Sequence, residues 1–355
     1  MEPTRNSEES FTLPQRRVHL IEPAGEILVR IVSFVSLAAI LLIFIFVFRE
    51  ALSLFKQSAT GSYNVADYQA SESYGDLPED STPNHIVIKT ATPDDLSINK
   101  NGFRFVSLLG VEWQPVSDYP KYGLIPLIAG SFKVTLIALL IAGPLGVLAA
   151  VYAVSFAPKW VKSWFKPTVE LLAGFPSVVI GFFALTVLAT ILQITFGLQY
   201  RLNALTGGIA LALAVVPIIF TVTEDALNAV PKALSEASLA LGASPWQTAL
   251  FIILPAATPG VLAALILGFG RAFGETMIVL MTTGNAALMS LSPVEPLRTM
   301  SATIGAEMAE VVFGDIHYGV LFFIGIILFF VTFALNAIVE FYVRQRLRKR
   351  FGGSR

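Results

Sequence analysis

Long apolar runs broken by short polar connections set the pattern of this chain. Uncharged stretches at Ile31 to Phe48, Val134 to Ala157, Leu171 to Tyr200, Ala204 to Thr223 and Tyr318 to Val339 approach or exceed the roughly 20 residues that a helix needs to cross about 30 Å of hydrocarbon. A further run, Leu254 to Gly284, is equally apolar apart from Arg271 and Glu275. The pattern predicts an all-α polytopic membrane protein with about six transmembrane helices.

Basic residues in the flanks orient such a bundle, because Lys and Arg are retained on the cytoplasmic side. Arg5, Arg16, Arg17 and Arg30 precede the first helix, and Arg344, Arg346, Arg348, Lys349, Arg350 and Arg355 follow the last. Both termini are therefore predicted to be cytoplasmic. Alternating spans put Lys159, Lys162 and Lys166 inside too, while Arg49 and Lys56 at the outer end of the first helix run against the bias. The first 26 residues are polar, with no short apolar region leading to a small-residue cleavage site, so the first helix is expected to stay as an anchor. The chain divides into a cytoplasmic tail at 1–26, a first helix at 27–56, a periplasmic insertion at 57–121, a helical core at 122–343 and a basic cytoplasmic tail at 344–355.

The insertion carries nine acidic and four basic residues between Gln57 and Lys121, with several prolines and glycines, and reads as soluble. Ser58 to Pro83 has loop composition, while His85 to Lys89 and Phe103 to Val106 read as short strands. A docking surface for an external partner and a solvated loop of no specific role fit it equally well. Pro144, Pro176 and Pro217 fall inside apolar runs, where each frees a backbone carbonyl that a neighbour or a cavity must satisfy. Pro217 reads as an ordinary kink; Pro144 and Pro176 fit a kink and a pathway lining equally.

Composition narrows the classes. At 355 residues, 55% hydrophobic and 14% charged, the chain has too little polar surface to cover a soluble globule. A net charge of −1 gives no basic excess for a polyanion, so membrane lipid is a predicted partner and nucleic acid is not. Without cysteine there is no disulfide or thiolate metal site, and His19, His85 and His317 lie in separate segments, which speaks against a metal site. No GxxxxGK followed by Ser or Thr occurs, so no loop here is set to cradle a nucleotide.

The segment from about 224 to 255 is the most strongly punctuated. In Asn228 to Pro255, Pro231 suits a first helical position, and Gly242 can take the left-handed conformation that ends that helix. Ser244 then caps a second helix, with Pro245 after it and Gln247 at the capping-box spacing. The result is a helix-turn-helix elbow that presents Ala237, Leu239, Leu241 and Trp246 and is tied to the fifth helix through Pro255. An elbow resting on the membrane surface and one that docks a partner fit this pattern equally.

Arg271 and Glu275 stand four apart in the fifth helix, on one face if the helix is continuous, where they can pair. An unpaired Arg at mid-bilayer costs at least roughly 2.5 to 3.5 kcal/mol, so a partner or a water-filled cavity is expected. Gly270 and Gly274, also four apart, would let another helix approach closely.

Two strings carry a family resemblance. Glu236-Ala237-Ser238 with Gly242 and Leu254-Pro255 resembles the EAA loop of ATP-binding-cassette (ABC) importer permeases, with Ser238 in place of the more common second alanine. Gly270-Arg271-Ala272-Phe273-Gly274-Glu275-Thr276-Met277 resembles the permeases of the phosphate-specific transport (Pst) system, the C-type more than the A-type. Trp113 with Pro115, Pro144-Leu145-Gly146, Glu170 to Gly174 with Pro176 to Val179, and Thr303 to Glu307 with Glu310 fit the same family, so the likeness covers about Val111 to Val339.

The resemblance implies a type I ABC importer permease fold in the bacterial inner membrane and no catalytic site in this chain. ATP and Mg would be bound by a homodimeric cytoplasmic ATPase, to which Glu236, Ala237, Gly242, Trp246 and Pro255 would couple. It further implies an A-type permease partner, a periplasmic or lipid-tethered phosphate-binding protein, and inward passage of inorganic phosphate by alternating access. The cost of an intramembrane charge, rather than the resemblance, points to Arg271 and Glu275, with Thr276 beside them, as the substrate pathway, ahead of the alternative that Arg271 and Glu275 form a purely structural salt bridge. Gly270, Gly274, Pro144 and Pro176 would serve as packing or hinge positions. The alternatives are a permease for molybdate or sulfate, because selectivity in such importers resides largely in the binding protein, an ATP-independent channel or carrier, and a membrane scaffold that signals without transporting.

Overall fold

The computed structural model describes residues 21–59, 105–117 and 120–351. The predicted strand at His85 to Lys89 and most of the predicted insertion lie outside these residues. Two compact units are distinguished, residues 1–47 and 48–355. In the first, α1 (Ile21–Ala59) begins. From Ile31 to Ile45 its side chains are exposed apart from the half-buried Phe44 and apolar apart from Ser33 and Ser36, as suits a helix surrounded by lipid. The last turns of α1 belong to the second unit, where Ala51 and Leu54 are buried.

The second unit continues in chain order with a short cap, Phe105 to Tyr122, and then helices. Helix α2 (Ile125–Ser155) is followed by α3 (Lys159–Ala173), α4 (Ser177–Phe183), α5 (Ala189–Phe196) and α6 (Ala204–Asn228). Next come α7 (Lys232–Ala240), α8 (Pro245–Thr248), α9 (Leu254–Phe273), α10 (Met277–Thr282), α11 (Met300–Glu307) and α12 (Ile316–Phe351). Among the described residues six stretches are long and apolar enough to cross a membrane: Arg30–Leu52, Ile125–Ser155, Ser177–Phe196, Ala204–Asn228, Pro245–Phe273 and Ile316–Ile338.

Small residues let the central helices close on one another. In α2, Ala138 and Ala142 are fully buried, as are Ala210 in α6 and Ala264 in α9. A Cβ on Gly146 of α2 would lie 2.8 Å from Ile219 of α6, and one on Gly268 of α9 would also lie 2.8 Å from it. Glycine at both positions therefore allows three helices to meet round a single isoleucine, the close approach that substitutes for hydrophobic driving force in lipid.

The third apolar run is shorter than its sequence suggests. Leu171 to Ala173 belong to α3, which is amphipathic: Phe165 packs on Phe220 of α6 with ring centroids 5.4 Å apart, while Trp160 and Trp164 are exposed. Lys166 reaches Glu224 of α6 at 3.2 Å. Such a helix lies along a bilayer surface better than it crosses one. The span starts only at Ser177, and Pro176 is its extended N-cap (φ −58°, ψ 132°). Pro176 thus opens a span and kinks none. Pro144 and Pro217 do sit inside α2 and α6, Pro144 exposed and Pro217 buried.

The cap also departs from expectation. Phe105 and Val106, read as part of a strand, open a 3₁₀ turn, Phe105–Leu109. In it Leu108 is buried while Val106 and Leu109 are exposed, an inward side chain once per turn and not at every second residue. The strands that do form are two residues each, β1 (Trp113–Gln114) antiparallel to β2 (Lys121–Tyr122), with Trp113 opposite Tyr122. Leu124 donates its N–H to the Leu108 carbonyl at 2.9 Å, fastening the turn to the start of α2. The cap lies at the end of the bundle where α2 begins; the elbow lies at the other.

Candidate functional site

At the elbow end the local rules held closely. Helix α7 ends in a Schellman turn: the Gly242 N–H donates to Leu239 O at 3.0 Å, the Ala243 N–H to Ser238 O at 3.2 Å, and Gly242 has φ +88°. Ser244 and Gln247 form the reciprocal capping box, Gln247 N–H to Ser244 Oγ at 3.3 Å and Ser244 N–H to Gln247 Oε1 at 2.9 Å. Pro231 sits one place earlier than expected, as the N-cap of α7. The serine that departs from the common loop pattern has a local use. Ser238 is buried and its hydroxyl lies 2.9 Å from that of Thr248, riveting α7 to α8.

Leu241, at the tip, is 90% exposed, and Glu236, Ala237, Leu239 and Trp246 are exposed as well. Trp246 keeps one edge on Phe156 at the end of α2, with centroids 5.7 Å apart. Beside the elbow opens a cleft of ≈ 490 Å³ lined by Lys162, Asn228, Lys232, Glu236 and Leu239 among others. Downstream, Ala249–Ile253 form a π-helical stretch that runs straight into α9. Pro255 cannot donate to the carbonyl of Phe251, and the wider π turn accommodates that loss. The elbow is therefore one helical rod with the fifth span.

At the far end of α9 the expected pairing is absent. Helix α9 stops at Phe273, Gly274 caps it, and α10 begins only at Met277, so Glu275 falls on the break and leaves the face of Arg271. The Glu275 carboxylate instead accepts the N–H of Met277 at 3.2 Å, the place where a helix N-terminus welcomes negative charge. Among the described residues no hydrogen bond or ion pair engages the Arg271 side chain, which is exposed. Gly270 has open space where a Cβ would be and Gly274 meets only its own helix, so neither receives another helix among the described residues. Close approach falls instead at Gly268, on Ile219 and Val215.

These corrections expose a face. Leu267, Gly270, Arg271 and Gly274 recur at i, i+3, i+4 and i+7; Leu267, Arg271 and Gly274 are exposed and Gly270 is half-buried, while Gly268, Ala272 and Phe273 turn inward. Its depth can be read from α6, to which α9 runs antiparallel: Gly260 faces Ala226, and Gly268 faces Val215 and Ile219. One turn beyond Gly268, Arg271 lies level with the middle of the 25-residue α6. A guanidinium thus stands at mid-depth on an open face beside a broken helix, where unwound backbone is tolerated only in protein or along a water-filled cavity. Thr276, on the break, is half-buried and packs on Gly305 of α11.

Residues 142–349 match the family described as binding-protein-dependent transport system inner membrane component. The chain belongs to this family. It is 36% identical over 244 residues to a probable ABC transporter permease, YqgH of Bacillus subtilis, covering 67% of this chain and 77% of that protein. It is 34% identical over 269 residues to the phosphate transport system permease PstC of Mesorhizobium japonicum, covering 70% of this chain and 81% of that protein. A solved bacterial ABC transporter involved in import of the acidic polysaccharide alginate shares the fold at TM-score 0.50 and 17% identity, over 68% of this chain and 82% of that one. This PstC-like permease is accordingly an inner-membrane component of an ABC importer, with six candidate spans among the described residues.

One cluster in this permease escaped the sequence. Glu307, at the end of α11, accepts from Trp113 Nε1 of the cap at 3.1 Å, lies 2.8 Å from His317 Nε2 of α12, and pairs with Arg298. Burial alone would raise its pKa; hydrogen bonds from His317 and Trp113 and the charge of Arg298 outweigh that and hold it below the usual glutamate range. The stability this lends is complete above the ordinary glutamate pKa and is lost only as pH falls through the depressed value.

Proposed function

We propose that this PstC-like permease imports inorganic phosphate, forming half of a transmembrane pathway whose other half is an A-type permease. The mid-depth Arg271 on the open face of α9 carries the reading. A guanidinium left bare to lipid is costly, whereas on a face closed by a second permease and lined by water it has a use. Its planar fork can meet two oxygens of a phosphate. Likeness to permeases named for phosphate transport supports the choice of anion.

The cap end faces the periplasm, where a phosphate-binding protein delivers its cargo, and the elbow faces the cytoplasm, where a homodimeric ATPase supplies ATP and Mg. The exposed Leu241, Ala237 and Trp246 are what that ATPase grips. Because α8, the π stretch and α9 form one rod, a push on the elbow is delivered to the break at Gly274–Thr276. Alternating access follows if the break and the partner's matching segment open to one side at a time.

ATP hydrolysis by the complex in lipid, measured with each anion-loaded binding protein in turn, tests the substrate. Stimulation by the phosphate-loaded protein and none by sulfate- or molybdate-loaded ones is expected; the reverse order would assign the permease to another oxyanion.

A further inference from the structure

The break beside Arg271 is not held by α9 and α10 alone. Helix α11, eight residues long, lies against it with two residues of one face. Ser301 donates its hydroxyl to the Glu275 carbonyl at 2.7 Å, and a Cβ on Gly305 would stand 2.5 Å from the Thr276 methyl. A helix this short has little stability of its own, so its rotation and seating must be set from outside. The opposite face supplies the means. Thr303 and Glu307, again four apart, turn away from the break and are bridged by Arg298, whose Nε donates to Thr303 Oγ1 at 3.1 Å while its other end pairs with Glu307.

A carboxylate in the last turn of a helix opposes the helix dipole, so Glu307 does not serve α11 as a helix former. Its three donors come instead from three places: Arg298 before α11, His317 at the start of α12 and Trp113 in the cap. The rings of Trp113 and Tyr122 lie 6.0 and 5.9 Å from that of His317 and close the cluster over. At its other end α11 is pinned by the Met300 N–H donating to Ser131 Oγ of α2 at 2.9 Å. With both ends tied, the face bearing Ser301 and Gly305 has one seat, on Glu275 and Thr276.

We infer that Glu307 is a positioning residue for the substrate pathway: by clamping α11 to the cap and to α12, it seats Ser301 and Gly305 on the break and so fixes Glu275 and Thr276 beside Arg271. Displacement of the cap through Trp113 is then felt at mid-depth, a physical route from a protein docked at the cap to the pathway. The inference rests on the pathway role given to the break above.

The chain has no cysteine, so an engineered pair is unambiguous. Thr276→Cys removes the very methyl that a Cβ at position 305 would meet, and with Gly305→Cys it forms a pair that mild oxidation should close into a disulfide. The yield, read in membranes carrying the whole complex, reports whether α11 is seated. Adding Glu307→Gln, which keeps shape and loses charge, is expected to lower the yield several-fold. Trp113→Phe, which removes one donor but keeps a ring, should lower it less, and it decides the matter alone if the glutamine variant fails to accumulate. An undiminished yield in these backgrounds would overturn the inference and leave Glu307 as a tie for the cap only. Cross-linking requires no transport, so this outcome is independent of which anion is carried.

Discussion

Arg271→Met is expected to reduce phosphate uptake by roughly 10- to 100-fold, the equivalent of losing one charge-assisted hydrogen bond of about 1.5 to 3 kcal/mol to the passing anion. The same substitution should leave the folding of the chain unchanged, because the guanidinium makes no hydrogen bond or ion pair among the described residues and the side chain is exposed. Exposed positions of that kind usually shift stability by no more than about 0.5 kcal/mol. The two readouts together separate a pathway residue from a structural one. Had Arg271 been half of a buried ion pair, its removal would have stranded Glu275 and destabilised the protein, but the Glu275 carboxylate already has the Met277 N–H. Arg271→Lys keeps the charge and loses the fork, and should fall between wild type and Met. Uptake is to be followed with labelled phosphate and folding by thermal unfolding in detergent; loss of both at once, or of neither, would contradict the role assigned.

Gly242→Val should uncouple the elbow. At φ +88° a side chain costs about 1 to 2 kcal/mol, more for a β-branched one, although the space around Gly242 is open and no clash adds to it. The strain falls on the turn that sets α7 against α8 and aims Leu241 outward. Relief by unwinding the turn would misdirect that tip, and a factor of about 5 to 30 in the population of the docked elbow follows from strain of this size. Co-purification of the ATPase should weaken accordingly, with membrane insertion normal, since Gly242 lies outside the apolar spans. Undiminished ATPase recovery together with normal uptake would show that the turn is not a docking device.

The elbow was legible in the sequence because its determinants are local. A left-handed glycine, a capping box and a proline each act within a few residues, and the structure reproduces Gly242, Ser244 and Gln247 in those parts. Arg271 was legible as an oddity of composition. Its pairing with Glu275 was not, since spacing of four implies a shared face only while the helix continues, and Gly274 ends it. Close packing falls at Gly268 and not at Gly270, because the face of α9 that meets Val215 and Ile219 is set by tertiary contacts that spacing alone does not give. Glu307 and Trp113 both stand in strings that carry the family resemblance, but their joining was not legible: Trp113, Arg298 and His317 are brought to Glu307 by tertiary folding, Trp113 from 194 positions away. Strands of two residues, such as β1 and β2, carry too little pattern to be recognised.

That this chain is half of an ATP-driven phosphate pathway is tested most directly in sealed vesicles. The chain, its candidate A-type partner, the ATPase and the phosphate-binding protein are reconstituted together, and labelled phosphate is followed with and without ATP on the elbow side. Accumulation that requires ATP, the binding protein and this chain, and that the Arg271→Met chain does not support, is the expected result. Equal phosphate movement without ATP, or undiminished ATP-driven uptake in vesicles lacking the chain, would contradict it.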